Sequence, residues 1–148
     1  MKKIGVISDT HLKRSDPGID EIARKYFHDV DFIIHAGDMV TLDVLDPFLA
    51  LNKEIIAVCG NMDFPDVSRS YSVSRTIIIE GLRVGLIHGW GSPHGIRLRI
   101  RESFDSVDAI KAETEKMTKT IRQLLDFARR SPPHRRSVDL RQIVQETI

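Results

Sequence analysis

The chain has 148 residues, 41% hydrophobic and 29% charged, the profile of one ordinary globular domain with a modest core, which excludes a disordered or collagen-like chain. Lys plus Arg number 22 and Asp plus Glu 21, so the formal charge of +1 gives no overall field that would recommend nucleic acid or an anionic membrane as partner. The single cysteine, Cys59, excludes a disulfide framework, the opening MKKIGVIS does not suit a signal peptide, and no apolar run approaches the roughly 20 residues of a membrane span, so a cytoplasmic protein is expected.

Short apolar runs ending in polar or Gly-rich turns alternate with helical patterns, which predicts an α/β fold. In chain order the pattern predicts a strand from Lys3 to Ser8, a helix from Asp20 to Phe27 and a strand from Asp31 to His35. A helix from Leu42 to Leu51 and a strand from Glu54 to Cys59 follow. Arg75 to Glu80 and Leu82 to Ile87 flank Gly81 and read as a hairpin. Ile96 to Phe104 reads as a helix, and Val107 to Ile110 as the start of one more strand.

Beyond Ile110 the texture changes. Lys111 to Arg130 has no Gly or Pro and sets Met117, Ile121, Leu124, Leu125 and Ala128 on one helical stripe. Ser131-Pro132-Pro133 ends that helix, and Asp139 can cap a last short one running to Ile148. Residues 1–110 carry 13 Lys/Arg against 16 Asp/Glu, net −3, whereas residues 111–148 carry 9 against 5, net +4. Two segments, 1–110 and 111–148, are therefore expected.

Four strand ends deliver residues that can hold a metal: Asp9 and His11 in SDTH, Asp38 in HAGD, Asn61 in CGNMD and His88 in IHG. Carboxyl ends of strands in an α/β sheet share one edge, so these side chains are expected to converge there. Carboxylate, imidazole and amide donors suit a divalent ion such as Mn²⁺, Fe²⁺, Ni²⁺ or Zn²⁺ better than a thiolate-loving one. Gly37 and Gly60 precede two of the candidates and allow tight turns beside the site.

The ordered run MKKIGVISDTHL, HAGD, CGNMD and LIHGWGSPHG resembles the calcineurin-like metallophosphoesterases, in particular their small prokaryotic phosphodiesterase branch, over residues 1 to about 110. The resemblance implies a truncated metallophosphoesterase-type β-sandwich flanked by helices. It also implies two divalent ions, Mn²⁺ first and Mg²⁺ among the alternatives. Asp9 and His11 would hold one ion, Asn61 and His88 the other, and Asp38 would bridge them, so that Asp38, Asn61 and His88 are the expected catalytic set. Two ions roughly 4 Å apart lower the pKa of a bound water and neutralise charge on the attacking and leaving oxygens of a small phosphoester.

Two positions depart from the family pattern. Larger relatives carry a histidine after the asparagine of GN, where this chain has Met62. The family also closes its site with G-H-x-H after a strand resembling VDAI, where this chain continues KAETEKM, which would leave each ion one ligand short. The segment KMTKTIRQLLDFARRSPPHRRSVDLRQIVQETI instead resembles the dimerisation helix and linker of a sensor histidine kinase, without the phosphoacceptor helix or nucleotide-binding motifs. This reads as a fusion, with the helical tail a candidate homodimer contact.

Among the remaining residues, His35 reads as a partly buried strand histidine, His28 as a surface residue and Cys59 as inert core. His94 could face phosphate or sit in a plain turn, and Trp90 could wall the site or cover the sheet edge. A metal-dependent phosphoesterase is the leading expectation. A non-catalytic scaffold using the tail for association is the alternative, and a signalling dimer module a third reading.

Overall fold

The computed structural model describes residues 2–92 and 94–104 in full and the backbone of residues 109–112. Three parallel strands, β1 (Ile4–Ile7), β2 (Phe32–His35) and β3 (Glu54–Ala57), form one sheet in that order, with Ile4 opposite Phe32 and Phe32 opposite Glu54. A second sheet pairs β4 (Ser74–Ile79) antiparallel with β5 (Leu82–Ile87), which in turn pairs parallel with β6 (Ala109–Ala112). Glu80 and Gly81, at φ 49° and 87°, make the two-residue turn of the predicted hairpin, a conformation whose twist matches that of the flanking strands.

Because successive strand residues face opposite ways, β2 serves two cores. Ile34 joins Ala36, Ile56 and Val58 against Ile77, Ile79, Val84 and Leu86, which packs the two sheets face to face. Ile33 looks the other way, with Ile7, Ala57 and Cys59, onto a layer containing Ile19, Ala23, Phe27, Val44, Leu45, Phe48 and Val67. In that layer Phe27 and Phe48 meet edge to face, centroids 5.0 Å apart, the geometry their ring quadrupoles favour. The expected sandwich is thus present, with helices on the outer face of the parallel sheet.

Several expected boundaries shift for local reasons. Helix α1 (Pro17–Tyr26) starts before Asp20 because the Asp16 side chain accepts from the N–H groups of Gly18 and Ile19 and Pro17 is preset for a first turn. The helix expected over Leu42 to Leu51 is instead a 3₁₀ turn, Leu42–Leu45, followed by the single-turn α2 (Asp46–Leu49). Pro47 supplies no N–H and forces the break. Helix α3 (Pro65–Ser70) was not expected, since PDVSRS buries only Val67 and shows no helical period. Helix α4 (Ile96–Glu102) falls where a helix is expected.

Strand β6 continues through Lys111 and Ala112, which the sequence pattern assigned to the tail helix. Leu86 and Ile87 of β5 hold them in parallel register. The expected helix beyond this point, its apolar stripe and the short helix after Asp139 lie outside the described residues. Among the described residues no helix is long and apolar enough to cross a membrane.

Candidate active site

The loops that follow β1 and β2 are laced together by their backbones. The Asp9 N–H donates to Gly37 O at 3.0 Å and the His11 N–H to Asp38 O at 3.1 Å, and Leu12 bridges to Val40. In this arrangement Asp9, His11, Asp38 and Val40 all take positive φ, at 52°, 49°, 55° and 78°. The left-handed region is uncommon for any non-glycine residue and costly for a β-branched one, so strain is concentrated where the candidate ligands sit.

The strain turns side chains toward one point. Ligand atoms of Asp9, His11 and Asp38 all lie within 4.8 Å of one another. His11 Nε2 is 3.6 Å from Asp9 Oδ1 and 3.7 Å from Asp38 Oδ2, while His88 Nε2, arriving from β5, is 3.3 Å from the same Asp38 Oδ2. Two ligands each about 2.1 Å from a shared ion stand at most about 4.2 Å apart, so these separations fit shared cations. The donors are oxygen and nitrogen, while the Cys59 thiol is buried and pushed up, first by that burial and then by Asp63. That chemistry fits Mn²⁺, Fe²⁺, Ni²⁺, Zn²⁺ or Mg²⁺.

Asp38 is nearly enclosed, and its two oxygens have separate tasks. Oδ1 accepts the Met62 N–H at 2.8 Å, and Oδ2 faces the two imidazoles. Burial alone would raise its carboxyl pKa, but hydrogen bonds from His88 and the Met62 N–H and the nearby imidazole charges outweigh it and hold the group below its ordinary value. His88 responds in the opposite sense. Burial would lower it, yet the hydrogen bond and charge of Asp38, with the Ala36 carbonyl and Asp9, leave it raised. Its Nδ1 is held 2.9 Å from Ala36 O, so the N–H on that nitrogen donates to the carbonyl and Nε2 is the atom turned to the site.

His35 is fully buried rather than partly so. Gly37 N–H donates to its Nδ1 at 3.3 Å, which puts the ring proton on Nε2, 3.3 Å from Thr10 Oγ1. Burial, helped by His88 and opposed by Asp38, pushes it down to about 3. A neutral His35 therefore pins the SDTH loop to the HAGD loop from beneath.

Asn61 lies exposed in the turn after β3, between two residues whose N–H groups are fixed at the site. Gly60 N–H donates to Asp63 Oδ2 at 2.7 Å, and Met62 N–H to Asp38 Oδ1. Gly60 is required there, because a Cβ would stand 2.1 Å from Asp38 Oδ1. Asp63 was missed in the sequence. Its place in CGNMD was visible, but nothing in the residue type announces a carboxylate spent on backbone donors. His28 and His94 are exposed. Trp90 is half exposed, and its carbonyl, with those of Ser92 and His94, accepts from the Arg99 guanidinium.

The model of the calcineurin-like phosphoesterase superfamily domain matches residues 1–118. A probable metallophosphoesterase of Methanothermobacter thermautotrophicus is 41% identical over 102 residues, covering 66% of this chain and 56% of that protein. The chain spans about half the length of the curated relatives it matches. Among solved structures, an archaeal phosphodiesterase superposes with a TM-score of 0.55 at 29% identity, covering 73% of this chain and 70% of the other. Vps29 of Chaetomium thermophilum shares the fold with a TM-score of 0.58 at 16% identity, over 76% of this chain and 60% of its own.

Proposed function

The chain belongs to the calcineurin-like phosphoesterase superfamily, and from that premise we propose that it is a metal-dependent hydrolase of small phosphoesters. One observation carries this reading: a single oxygen, Asp38 Oδ2, stands between the Nε2 atoms of His11 and His88 at 3.7 and 3.3 Å. A ligand shared by two ions would stand there. Asp9 and His11 would hold one divalent ion, Asn61 and His88 a second, and Asp38 both. Mn²⁺ is our first choice. Bound there, the ions would supply Lewis acidity toward phosphoryl oxygens and a water of lowered pKa.

The chain's own residues supply placement. Left-handed φ values at Asp9, His11 and Asp38 aim the carboxylates and imidazole inward, and the His88 N–H to Ala36 O bond fixes which ring nitrogen faces the site. Met62 beside Asn61 and Trp90 beyond His88 are each about half exposed and offer apolar surface to the organic part of an ester. With methionine at position 62, no side chain there protonates a leaving group, which favours esters whose alcohol leaves readily. Among such esters a phosphodiester is the first model substrate, because that is the activity named for an archaeal structural relative and for a curated relative.

The lone, buried Cys59 suits a reducing compartment, and we place the protein in the cytoplasm. We assign the chain through strand β6, which ends at Ala112, to the hydrolytic unit, and the residues beyond it to a helical tail through which two copies associate. Metal analysis of the purified 148-residue chain, then hydrolysis of bis(p-nitrophenyl) phosphate with and without Mn²⁺, tests the function. Mn²⁺-dependent turnover that a chelator abolishes is expected. Uptake of metal without turnover of mono- or diesters would favour the scaffold reading instead.

A further inference from the structure

We infer that Asp63 is the positioning residue of this site: its carboxylate holds the loop bearing Asp38 in a strained conformation and ties it to the loop bearing Asn61. The inference deepens the metallohydrolase reading and rests on it for the metal consequences alone.

Three backbone donors converge on this one side chain. Val40 N–H reaches Oδ1 at 2.6 Å, and Asp38 N–H and Gly60 N–H reach Oδ2 at 3.2 and 2.7 Å. Two of the donors come from the loop after β2 and one from the loop after β3, so the carboxylate is a cross-link between separate strand ends. The residues it holds are also the strained ones. Asp38 has φ 55° and Val40 φ 78°, the latter a β-branched residue in a region such residues avoid. Strain of this kind persists only where neighbours over-determine the conformation. At Val40 they do so from both sides, since its carbonyl also accepts the Phe64 N–H at 3.0 Å. The Asp63 turn therefore grips Val40 at both its N–H and its C=O.

The consequence falls on Asp38. With its N–H fixed by Asp63, its C=O by the His11 N–H and its Oδ1 by the Met62 N–H, the Oδ2 atom has one place to be. An amide at position 63 cannot do this. Asn offers one acceptor oxygen where three N–H groups arrive, and its NH₂ would face at least one of them donor to donor.

The test uses the full chain carrying Asp63→Asn, first without metal. Amide exchange should rise at least about tenfold at Asp38, Val40 and Gly60 while Ile33 and Ile34 of β2 keep their protection, because the loss is local. Unchanged exchange at those three amides, or an equal rise throughout, would overturn the inference. With Mn²⁺ added, affinity should fall about 10- to 100-fold, the usual effect of losing a group that orients a ligand. Equal affinity would again overturn it. If the parent chain takes up no Mn²⁺ while the local exchange pattern appears, the metallohydrolase reading fails and the positioning role stands. Should Asp63→Asn not fold, the parent chain is the second arm: the Asp38, Val40 and Gly60 amides should share one opening free energy in native-state exchange, since one carboxylate holds all three. Shared opening supports the inference, and independent opening of the three amides contradicts it.

Discussion

His88 Nε2 lies 3.3 Å from Asp38 Oδ2, with both side chains largely shielded from solvent, so a proton and a metal bound by this pair would compete for the same atoms. In the metal-free chain the pair raises His88 and lowers Asp38. The His88 contribution to stability is therefore complete below about pH 6.5 and is lost as pH rises through its raised value. The Asp38 contribution is present above about 3.8 and is lost as pH falls through its lowered value. A metal held by His88 Nε2 would displace its proton. Apparent Mn²⁺ affinity should thus weaken by about tenfold per pH unit on acidification below the raised His88 value, with a proton released on binding. Calorimetry in two buffers of different ionisation enthalpy measures that proton, and pH-independent uptake without release would contradict the pairing.

His35 predicts a separate acid sensitivity. Buried neutral and held near 3, it binds no proton in the folded state where an unfolded histidine does, so stability falls as pH drops below about 6.5 and continues to fall toward 3. His88 acts in the opposite sense but contributes no further slope below about 6.5. Between pH 6 and 4.5 the His35 loss should be about 2 kcal/mol. Urea unfolding of metal-free protein should show this slope, and His35→Gln should flatten it while lowering stability at neutral pH through the Thr10 and Gly37 contacts.

Gly60→Ala would bring a methyl group to 2.1 Å from Asp38 Oδ1 and 2.6 Å from Asp38 N. Backbone cannot give way cheaply there, and a destabilisation of about 1–3 kcal/mol is expected, together with weaker Mn²⁺ binding. Thermal unfolding and metal titration of one preparation check both halves. A variant as stable and as tight as its parent would mean that the two loops do not meet at Gly60 and Asp38.

Much of this site is legible because its candidate ligands end apolar strands. Asp9, His11, Asp38 and His88 are polar residues in runs that a core alone would not explain; the parallel sheet brings the loops of the first three to one edge, and His88 comes to them from β5 of the second sheet. What the sequence hid is of a different kind. Asp63 and His35 act on backbone N–H groups and a hydroxyl, contacts that depend on loop conformations no residue pattern specifies. The local misreadings have local causes. Pro47 divides an otherwise helical stretch, and the Asp16-Pro17 cap starts α1 before its apolar pattern begins. Lys111 and Ala112 read as helix by composition, yet pairing with β5 holds them as strand. Tertiary pairing outweighs propensity at such short segments.

Whether two ions share Asp38 is read by titrating metal-free protein with Mn²⁺ and recording electron paramagnetic resonance. Two ions per chain with spin-coupled signals are expected in the parent. In Asp38→Asn, which removes the charge both ions would share, the coupled signal should vanish and affinity should fall about 100-fold or more. A parent that binds a single uncoupled ion, or an Asp38→Asn protein that holds a coupled pair as tightly as the parent, would rule out a bridging Asp38.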